Sequence, residues 1–406
     1  MIRSATRRLS VAAICTFMAA ASVSLGAPAA GADPIYPVAA TDPFYAQSAG
    51  IDDVEVGDPL DVRPMPPIAA FPATDVWQVK FRSTNSQLEP IAATTTVLVP
   101  HNRPVDGPLL SYQHIINALS PRCSPSRTLY ETDPDLIIRE APALNVALQR
   151  GWTVALPDHL GPTAAYGAAK LGGYITLDGI RAVQQVPHLK LVNSPVGMAG
   201  YSGGGMATAW AAALAPEYAP DLNIVGVAEG GVPMNIGKMA NALSLQPHPA
   251  FGLALAAAIG LEREYPERLP ISEQLNEEGL QLRNEVANAC TNGLLTAGAG
   301  KSAAQIAKTT DMMTSEEAWA VLDENSVELY PGVPTAPIFE WHSPTDALIP
   351  VDSIDNTIRR YCEAGATVQS ELFPTPDHLS AAALGAPQAL EYLDARFRGV
   401  PAPSNC

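Results

Sequence analysis

Five consecutive residues, Gly200-Tyr201-Ser202-Gly203-Gly204, set a serine hydroxyl where it can act as a nucleophile. An apolar run, Pro195 to Ala199, leads into them, and a small-residue run, Met206 to Leu214, leads out. The Gly-x-Ser-x-Gly spacing between a strand and a helix is that of a nucleophile elbow, a turn too tight for side chains on either neighbour. Gly200 and Gly204 stand where a Cβ would collide with the adjoining strand or helix. Gly203 would then open the helix, with its N–H aimed at a developing oxyanion.

A serine hydroxyl needs a base to take its proton, and the base needs an acid to hold its tautomer. With an elbow of this kind the chain order is serine, acid, histidine. Of seven histidines, His101, His114, His159 and His188 precede Ser202. His248 falls in a helical stretch, and His342 comes before any suitable acid. His378 remains, in the loop Pro374 to Ser380 between the last strand and the last helix. The acid belongs after the penultimate strand, where Asp346 stands; Asp352 is its rival but is expected, like Asp355, to begin the next helix. Asp377, as the neighbour of the base, is expected to point elsewhere. A second oxyanion donor is expected from the loop after an early strand, Tyr112 to Ala118, with the Asn117 N–H as candidate and its side chain bracing the loop. Asp158 and His159 are expected to hold the loop at Gly161.

These positions require a sheet with helices between its strands. Trp77–Thr84 and Ile91–Val99 read as an antiparallel hairpin at a sheet edge. Strands at Leu109–Gln113, Trp152–Leu156, Pro195–Ala199 and Ile224–Ala228 alternate with helices at Leu136–Gln149, Gly173–Val186 and Ala207–Leu214. That alternation implies a parallel sheet covered on both faces. Between about Gly231 and Pro334 the rhythm gives way to helices, predicted at 240–245, 251–265, 272–289, 303–307 and 315–322. Strands return at Ala336–Trp341 and Thr367–Phe373, before a closing helix at Leu379–Phe397. The Pro-rich stretch Asp33–Pro72 is predicted to wrap the surface as an extended lead-in.

Arg3, Arg7 and Arg8, the apolar stretch Leu9–Leu25 and Ala30-Gly31-Ala32 read as a signal peptide over residues 1–32, implying export. No later run is apolar enough to suggest a transmembrane segment. The formal charge is −17, and loss of the leader arginines would take it to about −20, which argues against nucleic acid as a partner. Of five cysteines, Cys15 would leave with the leader. Cys123, Cys290, Cys362 and Cys406 permit three pairings, with free thiols as the alternative; Cys362–Cys406 would pin the C-terminus and leave Cys123–Cys290. No cluster suggests a metal, and no cofactor is expected.

The Gly200–Gly204 elbow, Ser111-Tyr112-Gln113, Pro157-Asp158-His159-Leu160-Gly161, the Asp346 loop and Pro376-Asp377-His378 together resemble the secretory lipases of fungi and actinobacteria, the Candida antarctica lipase A type. The resemblance covers most of the mature chain. It implies an α/β-hydrolase fold, class α/β, with a mostly parallel central sheet and an inserted helical cap. The core would comprise residues 33–230 and 335–406, and the cap residues 231–334. It further implies hydrolysis of acylglycerols or simpler esters, with Ser202, Asp346 and His378 as triad and Gly203 as one oxyanion donor. That family usually carries an aspartate near Asn117; a backbone donor survives the change to asparagine. The expected disulfide pairing also fits the resemblance.

The segment Phe251–Gly260 is apolar around most of its circumference, so it must be buried or line something apolar. An eight-carbon acyl chain in such a groove would gain about 6 kcal/mol, which favours medium or long acyl esters. The competing readings are a carboxylesterase or acyltransferase on smaller esters, a peptidase for which Glu277 and Glu278 only loosely qualify, and a catalytically inactive hydrolase fold that binds without reacting.

Overall fold

The computed structural model describes residues 32–131, 134–309, 311–375 and 377–406. The leader expected at 1–32 lies almost wholly outside the described residues. Among the described residues nine strands form a single sheet: β1 (Pro59–Met65), β2 (Thr74–Thr84), β3 (Pro90–Pro100), β4 (Leu109–Gln113), β5 (Thr153–Pro157), β6 (Val196–Tyr201), β7 (Ile224–Gly230), β8 (Ile338–His342) and β9 (Val368–Leu372). Their order is β1-β2-β3-β5-β4-β6-β7-β8-β9. The pairs β1–β2, β2–β3 and β3–β5 are antiparallel, and every pair from β5 to β9 is parallel.

β6 lies near the middle of the sheet and is buried on both faces, as expected of a parallel strand covered on both sides. Met198 faces one core, with Val79, Val97, Trp210 and the helices Ala169–Gln185 and Gly203–Tyr218. Ala199 and Tyr201 face the other, with Leu144, Leu148, Leu393 and the helices Pro134–Gln149 and His378–Phe397. The fold is therefore three layers, a mostly parallel sheet covered on both faces as the strand–helix alternation predicts, and of the α/β-hydrolase class that the resemblance implies.

Residues between β7 and β8 are helical, with no named strand among the described residues. The main helices are Ile236–Ser244, Phe251–Glu264, Glu277–Val286, Thr291–Gly298 and Glu316–Glu324. The helix expected at 272–289 is two: Ile271–Gln274, then a fresh start where the Asn276 side chain accepts from Gly279 N at 3.0 Å. An N-cap asparagine outcompetes a continuous helix because its side chain satisfies a first-turn amide. Residues 33–406 form one compact unit with these helices included.

Two further expectations are corrected. The lead-in 33–72 is not merely extended: it contains short 3-10 turns at Pro43–Tyr45 and Ile51–Asp53, then β1. The β2–β3 hairpin is consequently not at the edge, since β1 pairs outside it. Pro59 and Pro64 obscured that strand, yet proline is tolerated where one side of the ladder is unpaired.

Cys123 is bonded to Cys290, and Cys362 to Cys406. The second bridge closes a separation of 44 residues. Asn405 reinforces it by laying the tail against β9, its N–H donating to Val368 O at 2.9 Å and its amide to Ser370 O at 2.7 Å. Replacing Cys362 and Cys406 together by serine is expected to lower unfolding free energy by about 2–4 kcal/mol. Urea titration measures this, and an unchanged midpoint would mean that the hydrogen bonds alone secure the tail.

Candidate active site

Ser202 follows β6 directly, with φ 54° and ψ −123°, in the left-handed half of backbone space that non-glycine residues avoid. The strain is imposed by close packing. A Cβ on Gly200 would lie 2.4 Å from Thr208 Oγ1, and one on Gly204 would lie 2.0 Å from Gln113 O. The helix Gly203–Tyr218 thus sits directly on β6 and β4, and the serine turns outward between them. Ser202 N donates to Gly230 O at 2.9 Å, which fixes the turn to the end of β7. The first N–H groups of the helix have no intrahelical acceptor, so the Gly203 end carries free donors and partial positive charge.

His378 is the first residue of the closing helix, not a loop residue. Asp377 is the reason: its Oδ1 accepts from Ser380 N at 2.8 Å and caps the helix, so it points away from the imidazole. His378 Nδ1 lies 2.7 Å from Asp346 Oδ2. Asp346 Oδ1 accepts from Leu348 N at 2.9 Å and Ile349 N at 3.0 Å. Burial pushes the Asp346 carboxyl up, but the His378 bond and charge and the two amides outweigh it and hold the group below its ordinary value. Asp352, the rival acid, is in the next helix and pairs with Lys238 at 2.6 Å.

The imidazole is held from a second side by Tyr201. Its hydroxyl donates to His378 O at 2.6 Å, and the two rings are 4.9 Å apart. Gly231, with φ 50°, leaves them room, since a Cβ there would meet Tyr201 Cζ at 2.5 Å and His378 Cε1 at 2.8 Å. The ring edge therefore abuts the end of β7 where Ser202 is also anchored. His378 Nε2 is buried and, among the described residues, has no hydrogen-bond partner, so Ser202 Oγ does not bond to it in this conformation. Tyr201 was hidden from sequence reasoning because it fills the unrestricted position of the motif.

The other histidines are occupied elsewhere. His114 Nδ1 pairs with Glu140 at 3.0 Å, His159 Nε2 lies 2.9 Å from His114 O, and His342 Nδ1 lies 2.9 Å from Glu340. Asp158 accepts from Ser126 N and Oγ, so it and His159 brace the loops behind the site. Asn117 lies over the elbow, its Oδ1 2.4 Å from where a Gly203 Cβ would be. That oxygen has no hydrogen-bond partner among the described residues, so it does not supply the bracing expected of the side chain. The loop is held through its main chain instead, with Asn117 O accepting from Thr291 Oγ1 at 3.0 Å. No cluster of three or more metal-ligating side chains occurs among the described residues.

Beside the elbow a cavity of about 200 Å³ opens among Tyr166, Met206, Phe251, Leu255, Ala258 and Ile306. Met206 N donates to Ser202 O, so the cavity begins one helical turn from the serine. One side of Phe251–Glu264 packs into the core through Ala256 and Ile259, and another lines this cavity.

A family model described as secretory lipase matches residues 136–405. The chain belongs to the secretory lipase family. Lipase A of Arthroderma benhamiae is 33% identical over 90% of this chain and 81% of its own. A protein of Mycobacterium tuberculosis named a probable inactive lipase is 35% identical over 89% and 82%. The closed form of Candida antarctica lipase A superposes with a TM-score of 0.84 at 29% identity, covering 90% of this chain and 89% of that one. Membership of the secretory lipases and the structural neighbours agree with the three-layer α/β-hydrolase fold.

Beneath the candidate site lies a carboxyl group with no hydrogen bonds among the described residues. Glu229 precedes Gly230 and is opposite Glu340 in the β7–β8 ladder. Both its oxygens are buried without a partner among the described residues. Burial, then the neighbouring Glu340 charge, push it up to about 8. Unfolded, it ionises near 4.5. Between those values the unfolded chain has released a proton that the folded one keeps, so stability falls as pH rises from 4.5 to about 8. Glu229→Gln is expected to flatten that decline in a series of melting temperatures across pH 5–8. Parallel wild-type and variant curves would assign the slope to another group.

Proposed function

We propose that this secretory lipase is an exported serine ester hydrolase that cleaves acylglycerols or other carboxylic esters through an acyl-enzyme on Ser202. His378 acts as general base and then acid, Asp346 holds its Nδ1 proton, and the N–H groups of Gly203 and Asn117 receive the oxyanion. The observation that carries this reading is the 2.7 Å contact between His378 Nδ1 and the buried, amide-bonded Asp346, with Nε2 left without a partner. An imidazole so tethered is fixed in one tautomer, with its free nitrogen available to the Ser202 proton. The absent Oγ–Nε2 bond is compatible with this, because such bonds commonly tighten only when substrate binds.

In the first half-reaction Oγ would attack the ester carbonyl as Nε2 takes its proton. The tetrahedral oxyanion would lie against the helix N-terminus, and Nε2 would return the proton to the departing alcohol. Water would repeat the sequence on the acyl-enzyme. Glu277 and Glu278 do not favour a peptidase: they begin a helix, and Glu278 is paired with Lys301 at 2.7 Å. Export is supported by the signal-peptide-like composition of residues 1–32 and by the two disulfides. Residues 231–334 would serve as the cap.

The cavity beside Met206 is the natural seat for the acyl chain, since each methylene moved out of water contributes about 0.8 kcal/mol. The preferred substrates are therefore medium or long acyl esters. A fluorophosphonate should modify Ser202 in the wild type and leave Ser202→Ala unlabelled; an unlabelled wild type would support the inactive reading. p-Nitrophenyl decanoate should be hydrolysed with a higher kcat/KM than the acetate. In Ala258→Trp the decanoate-to-acetate ratio should fall by roughly tenfold or more as the cavity shortens. An unchanged ratio would place the acyl chain elsewhere.

A further inference from the structure

Arg263 is 4% exposed, yet all its hydrogen bonds go to main-chain carbonyls. Nε donates to Ile35 O at 2.8 Å, and one terminal nitrogen donates to Leu119 O and Thr163 O at 2.9 Å and Ala164 O at 3.2 Å. The other donates to Ala287 O at 2.9 Å. These carbonyls belong to the lead-in, the loop that carries Asn117, the loop after β5, and the helical segment between β7 and β8. Burying a guanidinium without a carboxylate costs several kcal/mol unless its donors are satisfied, and here they are satisfied by backbone. Only the planar, forked arginine head can reach so many acceptors at once.

Three further bonds close the same seam. Leu119 N donates to Ala289 O at 3.0 Å, Thr291 Oγ1 donates to Asn117 O at 3.0 Å, and Cys123 is bonded to Cys290. The Asn117 loop is thus fastened at residues 117, 119 and 123 to the segment 287–291, and through Arg263 to the helix Phe251–Glu264. On its other side it rests on Gly203, which leaves no space for a Cβ beneath Asn117.

We propose that Arg263 and Thr291 are positioning residues for the oxyanion hole, holding the Asn117 main chain at the distance from Ser202 that the transition state requires. The proposal rests on the ester-hydrolase reading and deepens it: half of the oxyanion hole belongs mechanically to the inserted helices, not to the sheet. Neither side chain touches substrate. Both act through the Asn117 backbone, so their loss weakens transition-state binding while leaving the ester's ground-state contacts intact.

The test compares the purified full-length wild type with Thr291→Val, Thr291→Ser and Arg263→Met, using p-nitrophenyl decanoate turnover, the rate of fluorophosphonate modification, and thermal melting. In Thr291→Val, kcat should fall by roughly tenfold with KM unchanged, the modification rate should fall in step, and the melting temperature should hold. Thr291→Ser, which keeps the hydroxyl, should restore kcat to within about twofold of wild type. Arg263→Met should lose more kcat and melt earlier; should it not fold, the two Thr291 variants decide the matter. Wild-type kcat in Thr291→Val, a loss confined to KM, or equal impairment of the Ser and Val variants would overturn the positioning role. A wild type that neither turns over ester nor reacts at Ser202 would overturn the parent reading, a result separable from the others because it appears without any substitution.

Discussion

The arrangement depends on one steric constraint: the helix after β6 approaches the sheet so closely that residues 200 and 204 have no room for a side chain. Gly204 would place a Cβ 2.0 Å from the Gln113 carbonyl, on a central strand that cannot yield without disturbing both neighbours. Close approach at those positions leaves the residue between them only the left-handed turn that Ser202 adopts. Thr208 cements the contact, its hydroxyl donating to Gln113 Oε1 at 2.8 Å. The hydroxyl at 202 is presented because the helix must reach the sheet, and the strain at one residue is offset by packing along a whole helix.

The same end of the sheet collects buried charge, and each instance has a different solution. Asp346 is stabilised as an anion by an imidazole and two amides. Glu140, pushed up by burial, is brought down to about 2 by His114, Arg139 and Tyr112. Glu229 has no such help and keeps its proton. Three carboxyls in one region thus span acid to alkaline behaviour, decided by how many donors each finds and not by depth. The network around Glu140 and His114 lies immediately beyond β4, so it stiffens the start of the loop whose far end is tied to the inserted helices.

Much of this was legible in the residues alone. The Gly-rich turn at Ser202, the strand–helix alternation and the long helical interruption each follow from local chemistry that packing does not override, whereas the two disulfides, favoured among three pairings, join cysteines 167 and 44 residues apart. Other features depend on distant partners. β1 contains two prolines and a charged pair, and only the free edge of β2 makes it a strand. Thr291–Gly298 has few periodic apolar residues, and it is helical because it packs on Phe251–Glu264; a Cβ on Gly252 would strike Leu294 O at 1.9 Å. Arg263 stands between two glutamates near a helix end, a pattern that reads as a solvated surface. Glu262 is instead bonded to Ser272 and Glu264 to Ser86, so all three charges are turned inward. Tertiary partners of this kind are invisible to periodicity.

The inserted helices therefore meet the rest of the molecule in two physically different ways. Along the seam at 263 and 287–291 the contacts are directional: a disulfide, a threonine hydroxyl, a backbone pair and a guanidinium reaching five carbonyls. Such contacts have one geometry and lose most of their energy when displaced by an ångström. Around the cavity the walls are Phe251, Leu255, Ala258 and Ile306, whose apolar contacts have no preferred direction and re-form after small shifts. A catalytic hole demands the first kind of contact and a pocket for chains of differing length tolerates the second. Under the proposed function, distributing the two along a single insertion would allow the wall to adapt to a substrate while the Asn117 main chain stays in place.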